Sequence, residues 1–195
     1  MAVKVAIARG RALSLVDNIG GTMVAVSGCD TASVSDHMEA TSVLAESKRM
    51  NTKLFMAAYN SPSDIGISGS EDSVALLTSY INTWVEGASA RKLRVSTAVH
   101  SPYVDPCETS YRMELEAIFA QYSGPFHPTT LTMSTVTGEF MDGRYTLDYL
   151  WRNLRQPVRF STAIPKLIER FGKDSTFVEV APHPVLSQVY AFVTS

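Results

Sequence analysis

Thr22-Met23-Val24-Ala25-Val26-Ser27 opens, and Arg91-Lys92-Leu93-Arg94-Val95-Ser96-Thr97 closes, the run of alternating patterns that decides the fold class. Residues 23–27 read as a strand. Asp30 or Thr31 then stands where a helix needs its cap, and Val34, Met38 and Ala45 share one face to about Lys48. Residues 53–59 read as a second strand, Asn60-Ser61-Pro62-Ser63 as a turn, and residues 64–69 as a short third strand. Ser70, with Ser73 three residues on, opens a second helix to about Gly87 that carries Val74, Leu77, Ile81 and Trp84. Residues 91–97 read as the fourth strand. The order is β-α-β-β-α-β, the ferredoxin-like split pattern, and it predicts a small subdomain over 21–97.

The flanks read differently. Val3, Ala6, Ile7 and then Arg11 or Leu13 recur at helical spacing until Gly20-Gly21 breaks the pattern. No capping residue precedes that helix, as expected of a sequence that once continued upstream. Downstream, residues 105–122 form a helical pattern with Tyr111, Leu115, Ile118 and Phe119 on one side, ended by Pro125 and Pro128. Residues 131–137 read as a β-branched strand closed by Gly138. Residues 145–153 and 161–171 read as helices, the second with Pro165 in its first turn. Residues 176–180 read as a buried strand. Pro182-His183-Pro184-Val185-Leu186 then reads as a turn into a last helix. The expected architecture is α/β in two parts: 1–20 with 98–195 as a larger sheet-and-helix subdomain, and 21–97 inserted into it.

Bulk composition narrows the function. A chain of 195 residues suffices for one domain with a sizeable core or two small subdomains. Its formal net charge of -2, with acids and bases interspersed, gives no electrostatic reason to expect nucleic acid or an anionic membrane as partner. Two cysteines, Cys29 and Cys107, form neither a metal spacing nor a disulfide framework and favour a reducing compartment. No stretch approaches the roughly 20 apolar residues of a membrane span, and the N-terminal apolar run is broken by Lys4 and Arg9, unlike a signal peptide. A cytoplasmic location is expected. His37, His127 and His183 lack zinc spacing, so no metal is expected, and Met38, Met50, Met56 and Met133 read as core filler.

His100 is the candidate for chemistry. It ends a basic strand and begins a Ser101-Pro102 turn, where a strand fixes position and a loop gives access. A neutral imidazole there can take a proton from a hydroxyl and return it to a leaving group. A lone histidine at a strand end is by itself more often structural or solvated, and its neighbours change that balance. In order the chain gives Ala8-Arg9-Gly10-Arg11, Tyr59-Asn60-Ser61-Pro62, Thr97-Ala98-Val99-His100-Ser101-Pro102 and Ser134-Thr135-Val136-Thr137-Gly138. Asn153-Leu154-Arg155-Gln156-Pro157-Val158-Arg159-Phe160 and Pro182-His183-Pro184-Val185-Leu186 follow.

Six such blocks in this order resemble the acyltransferase domain of polyketide synthases, related to malonyl-CoA:acyl carrier protein transacylases. The His100, Asn153 and Pro182 blocks look most like fungal iterative synthases. The resemblance implies a hydrolase-like acyltransferase subdomain with the ferredoxin-like insert. It implies a malonyl-type acyl group passing from coenzyme A to the phosphopantetheine thiol of an acyl carrier protein. The thioester is substrate, and no cofactor is implied. By resemblance His100 is the base and Asn153 the acceptor for its other ring nitrogen. Arg9 is the clamp on the acyl carboxylate, a task suited to a planar guanidinium. Asn60 matches a cleft-lining position, which an Asn-Ser-Pro turn explains equally well. Val99 stands at the acyl-selectivity position in place of the usual aromatic, which implies a wider side-chain pocket. Arg155 and Arg159 either face carrier-protein phosphates or are solvated, and the solvated reading is favoured.

The departures are equally specific. The resembled family carries its nucleophile in a Gly-His-Ser-x-Gly elbow upstream of the arginine that Arg9 matches, and only eight residues precede Arg9 here. Gly66-Ile67-Ser68-Gly69 comes nearest to such an elbow and lacks its spacing. The strand that contributes to the family's oxyanion hole has no counterpart either. A base without nucleophile and oxyanion donors does not turn over. The chain alone is therefore expected to be inactive, a fragment whose N-terminal half is a further partner. The alternative is a non-catalytic remnant that binds acyl-CoA or a carrier protein. Poor solubility is expected from uncovered apolar faces.

Overall fold

A computed structural model describes residues 1–17, 19–48, 53–181 and 186. Met50 and the turn around His183, with the helix expected after it, lie outside the described residues. The elements are α1 (Ala2–Leu15), β1 (Gly21–Ser27), α2 (Thr31–Ser47), β2 (Leu54–Ser61), β3 (Asp64–Ser70), α3 (Glu71–Trp84) and β4 (Ser89–Lys92). There follow a 3-10 helix (Pro102–Cys107), α4 (Glu108–Phe119), β5 (Met133–Ser134), β6 (Glu139–Phe140), α5 (Leu147–Arg155), β7 (Val158–Arg159) and α6 (Phe160–Phe171).

From β1 to β4 the connectivity is β-α-β-β-α-β, and the sheet runs β4-β1-β3-β2-β7. The first four strands pair antiparallel, and β7 adds parallel to β2 through Ala58 with Val158 and Tyr59 with Arg159. Caps start both helices of this part. Asp30 accepts the Ser33 N–H at 2.9 Å, and Ser70 accepts the Ser73 N–H at 3.2 Å, with Glu71 and Asp72 in the first turn complementing the helix dipole. Side chains alternate across a strand. Val24, Val26, Ile65 and Ile67 accordingly share a buried cluster with Val34 of α2 and with Val74, Leu77 and Ile81 of α3. The opposite face of β3 carries Gly66 and Ser68, and α6 packs against β2.

A second cluster lies outside that sheet. Ala8, Ala12 and Val16 recur four apart along and just beyond α1, and small side chains let this face pack close against Tyr111, Leu115 and Ile118 of α4. Val104 and Cys107 of the 3-10 helix and Trp151 and Leu154 of α5 complete it. Arg112 ties α4 to α5 through Asp148 at 3.1 Å while pairing with Glu108 at 2.7 Å. Cys29 and Cys107 are buried free thiols, one in each cluster.

Several expected elements change. The fourth strand is Ser89–Lys92 rather than 91–97. Beyond Leu93, whose N–H reaches Met23 O, the chain leaves the sheet, and Thr22 bonds the Val95 carbonyl at 2.9 Å. The β-branched run 131–137 yields only the two residues of β5. Ser134 Oγ accepts the N–H groups of Val136 and Thr137 and turns the chain back toward β6, with Gly138 at φ 74. The helix expected from 105 begins as a 3-10 turn because Ser101 caps Tyr103 and Pro102 and Pro106 interrupt regular bonding. Pro165 falls in the second turn of α6, which starts at Phe160. Residues 176–180 form no strand. Val178 and Val180 are 78% and 95% exposed, and Glu179 accepts the Leu186 N–H with its carboxylate.

Leu77 is fully buried between α3 and the sheet. Leu77→Ala is expected to destabilise the chain by about 2–5 kcal/mol, read as a lowered urea midpoint with unchanged helical signal at zero denaturant.

Candidate active site

The C-terminal end of α5 organises the site. Gln156 precedes Pro157, a position that disfavours helical backbone, and it is extended at φ -90 and ψ 156. Its carbonyl therefore leaves the helix direction. The Nδ1 of His100 lies 2.9 Å from that oxygen. A carbonyl accepts only, so Nδ1 carries the hydrogen and donates, and Nε2 of the neutral ring keeps its lone pair. The His100 N–H donates to Leu154 O at 3.1 Å, satisfying another carbonyl of the last turn of α5.

His100 stands at φ 57, in the left-handed region that residues other than glycine seldom adopt. Several bonds hold its loop. Ser68 Oγ donates to Val99 O at 2.5 Å, and Ser101 Oγ donates to Ala98 O at 2.6 Å. Gly21 permits the close approach of β1 to this loop, since a Cβ there would stand 3.0 Å from the Ala98 Cβ.

Arg9 projects from α1, and its Nη1 donates to Asn153 Oδ1 of α5 at 2.6 Å. Burial holds its pKa below the usual arginine range, while the nearby Tyr111 raises it. The same burial raises the Tyr111 phenol, and the Arg9 charge counters this. Arg9 and Tyr111 also line an apolar cavity of about 520 Å³ with Phe119 and Phe126. The guanidinium has five N–H donors, so others remain beyond the one that meets Asn153. Burial lowers the His100 pKa, the Gln156 carbonyl raises it, and the positive charge of Arg9 lowers it again.

The structure thus brings Arg9, His100 and Asn153 together, with Asn153 on Arg9 rather than on the imidazole. The Asn153 side chain orients Arg9, and the main chain of Gln156 holds the imidazole. Gln156 was not singled out from the sequence. The Gln-Pro step at the end of a helix was the available signal. Asn60 makes no hydrogen bond to this group and lies where the register of β2 against β3 is irregular, between Tyr59 and Ser61. Val99 packs its side chain against the α1–α4–α5 cluster. Arg155 is not simply solvated, because Asp105 pairs with its guanidinium, whereas Arg159 is exposed. His127 lines the cavity beside Arg9, and His37 rests against the Tyr80 ring. Among the described residues no three His, Cys, Asp or Glu gather as a metal site, and no helix is long and apolar enough to cross a membrane.

The sequence profile described as "Acyl transferase domain" matches residues 2–192. The chain belongs to this acyl transferase domain family. The highly reducing polyketide synthase stpks1 of Strobilurus tenacellus is 30% identical over 191 residues, which are 96% of this chain and 6% of that synthase. Erythronolide synthase EryA2 of Saccharopolyspora erythraea is 36% identical over 192 residues, 95% of this chain and 5% of that protein. The crystal structure of malonyl CoA-acyl carrier protein transacylase from Clostridium perfringens superposes with a TM-score of 0.79 at 27% identity. It covers 98% of this chain, and this chain spans 56% of that one. The acyltransferase domain from module 8 of the salinomycin polyketide synthase gives a TM-score of 0.76 at 30% identity, over 97% of this chain and 40% of that one. The chain therefore has the α/β acyltransferase fold and spans little more than half of the transacylase.

The lowered His100 pKa sets the sign of a pH effect. Above the ordinary histidine value of 6.5 the ring is neutral in folded and unfolded chains alike. As pH falls through 6.5 toward the lower folded value, the unfolded chain binds a proton that the folded chain refuses, so stability drops, and below the folded value the loss levels off. His100→Asn, whose short amide tolerates a left-handed φ, removes this contribution. The stability difference between wild type and His100→Asn, from urea unfolding, should change steadily as pH falls below 6.5. A difference constant from pH about 7.5 to 5 contradicts the assignment.

Proposed function

We propose that this chain carries the histidine half of an acyl-transfer centre that moves a malonyl-type acyl group from coenzyme A to an acyl carrier protein. The observation that carries the reading is the His100 ring fixed by Nδ1 to the Gln156 carbonyl, with the Arg9 guanidinium beside it. The fixed bond leaves Nε2 as the proton acceptor. The nucleophilic hydroxyl and the oxyanion donors come from a segment outside these residues, in keeping with the 56% of the transacylase that the chain spans.

The chemistry follows from those positions. Nε2 takes the proton of the serine hydroxyl as its oxygen attacks the thioester carbonyl. The imidazolium then returns the proton to the departing coenzyme A sulfur, leaving an acyl-serine ester. In the second half the phosphopantetheine thiol of the carrier protein attacks that ester, with His100 accepting the thiol proton and passing it to the serine oxygen. Arg9, oriented by Asn153, pairs with the free carboxylate of the acyl group. Malonyl-CoA and acyl carrier protein are the substrates, and the reaction asks for no resident cofactor. We read residues 21–97 as the inserted ferredoxin-like part, on the strength of the strand order β4-β1-β3-β2. A cytoplasmic location accords with these substrates.

The test is complementation. Alone, the chain should show no malonyl transfer to carrier protein. Mixed with a polypeptide holding the upstream acyl transferase segment and its Gly-His-Ser-x-Gly elbow, it should give a labelled acyl-serine. His100→Ala should cut that labelling at least about a hundredfold. Complemented labelling indifferent to His100→Ala overturns the reading, as does turnover by the chain alone.

A further inference from the structure

Ser68 lies on β3, in the sheet part of the molecule, and is fully buried. Its hydroxyl donates to the carbonyl of Val99. That carbonyl and the His100 N–H belong to one peptide unit, which is planar. The other edge of the unit is held as well, by the bond from His100 N–H to Leu154 O. The Val99–His100 peptide is thus gripped from both sides, by β3 at its oxygen and by α5 at its hydrogen. The φ of His100 is the rotation about the bond that leaves this plane. Two elements thus fix one of the two planes whose relative rotation is φ, and φ stands at 57, a value a histidine seldom adopts.

We propose that Ser68 is a positioning residue for His100, holding the left-handed backbone from which the imidazole reaches Gln156. The proposal rests on the reading of His100 as the base and extends it to a side chain that touches neither substrate nor reacting atoms. It also accounts for the Gly66-Ile67-Ser68-Gly69 segment. The serine there is no nucleophile, because its hydroxyl faces a main-chain oxygen in the interior. Without that hydroxyl the Val99 carbonyl loses its partner, the peptide plane is free to turn, and the ring is no longer directed at Gln156.

The test needs no acyl transfer. The intact chain is treated with diethyl pyrocarbonate over a pH series, and carbethoxylation of His100 is followed by peptide mass. Neutral imidazole reacts, so the inflection of rate with pH reports the His100 pKa in place. Wild type should inflect below the ordinary value of 6.5. Ser68→Ala, which only removes atoms from a buried site, should move the inflection further down, because the Gln156 bond that raises the pKa is lost while burial and the Arg9 charge remain. Ser68→Thr keeps a hydroxyl on a strand and should restore the wild-type inflection. Thr22→Val removes an equally buried hydroxyl bond to Val95 O, five residues from His100, and should leave the inflection in place. An unchanged inflection in Ser68→Ala overturns the proposal. So does Ser68→Thr behaving like Ser68→Ala, or Thr22→Val shifting His100 as far. If Ser68→Ala leaves His100 untouched while complemented labelling still needs His100, this inference falls and the proposed function stands. If labelling ignores His100 while the inflection shifts, the function falls and the clamp stands.

Discussion

The hydrogen bond from His100 Nδ1 to the Gln156 carbonyl is the contact through which the parts of this molecule meet. It exists because Pro157 stops α5 at Arg155 and turns the Gln156 backbone extended. One turn earlier on the same helix, Asn153 holds Arg9 of α1, and Leu154 takes the His100 N–H. Three contacts therefore hang on the last turn and C-cap of a nine-residue helix. That helix is anchored in turn by burial of Trp151 and Leu154 and by the pairing of Arg112 with Asp148.

The sheet contributes by position rather than by chemistry. Its helix-facing side is an ordinary apolar core of valines, isoleucines and leucine. Its other side carries Gly66 and Ser68, and Ser68 reaches the loop that carries His100. Gly21 at the start of β1 lets that loop lie close, and Thr22 draws in the segment before it through Val95. The exchange between the parts is not one-sided, since β7 joins the sheet at β2 directly after the Gln156-Pro157 step.

The small sheet was legible in the sequence because its signals are local: caps at Asp30 and Ser70, alternation in β1 and β3, and helical spacing of Val74, Leu77 and Ile81. What failed depended on partners or on side chains that compete for the backbone. Residues 131–137 have strand propensity, yet Ser134 folds them into a turn. Residues 176–180 have strand composition and form no strand among the described residues. At the site, Arg9, His100 and Asn153 carried recognisable residue types at recognisable places. The partner of the imidazole did not, because a main-chain carbonyl leaves no mark on residue identity. Only the proline after Gln156 betrays it. Asn60, taken from resemblance alone, makes no bond to this group, and Val99 joins it only through its main-chain carbonyl, which accepts from Ser68.

The proposed half-centre rests on an arginine, an oriented histidine and the acyl transferase fold, and it turns on which ring nitrogen of His100 is free. Long-range proton–nitrogen correlation spectra of the intact chain, labelled with nitrogen-15 in histidine and recorded above pH about 7, decide this directly. The account predicts a single His100 tautomer with the hydrogen on Nδ1 and an unprotonated Nε2. A hydrogen on Nε2, or a rapidly averaging mixture of the two forms, would contradict it.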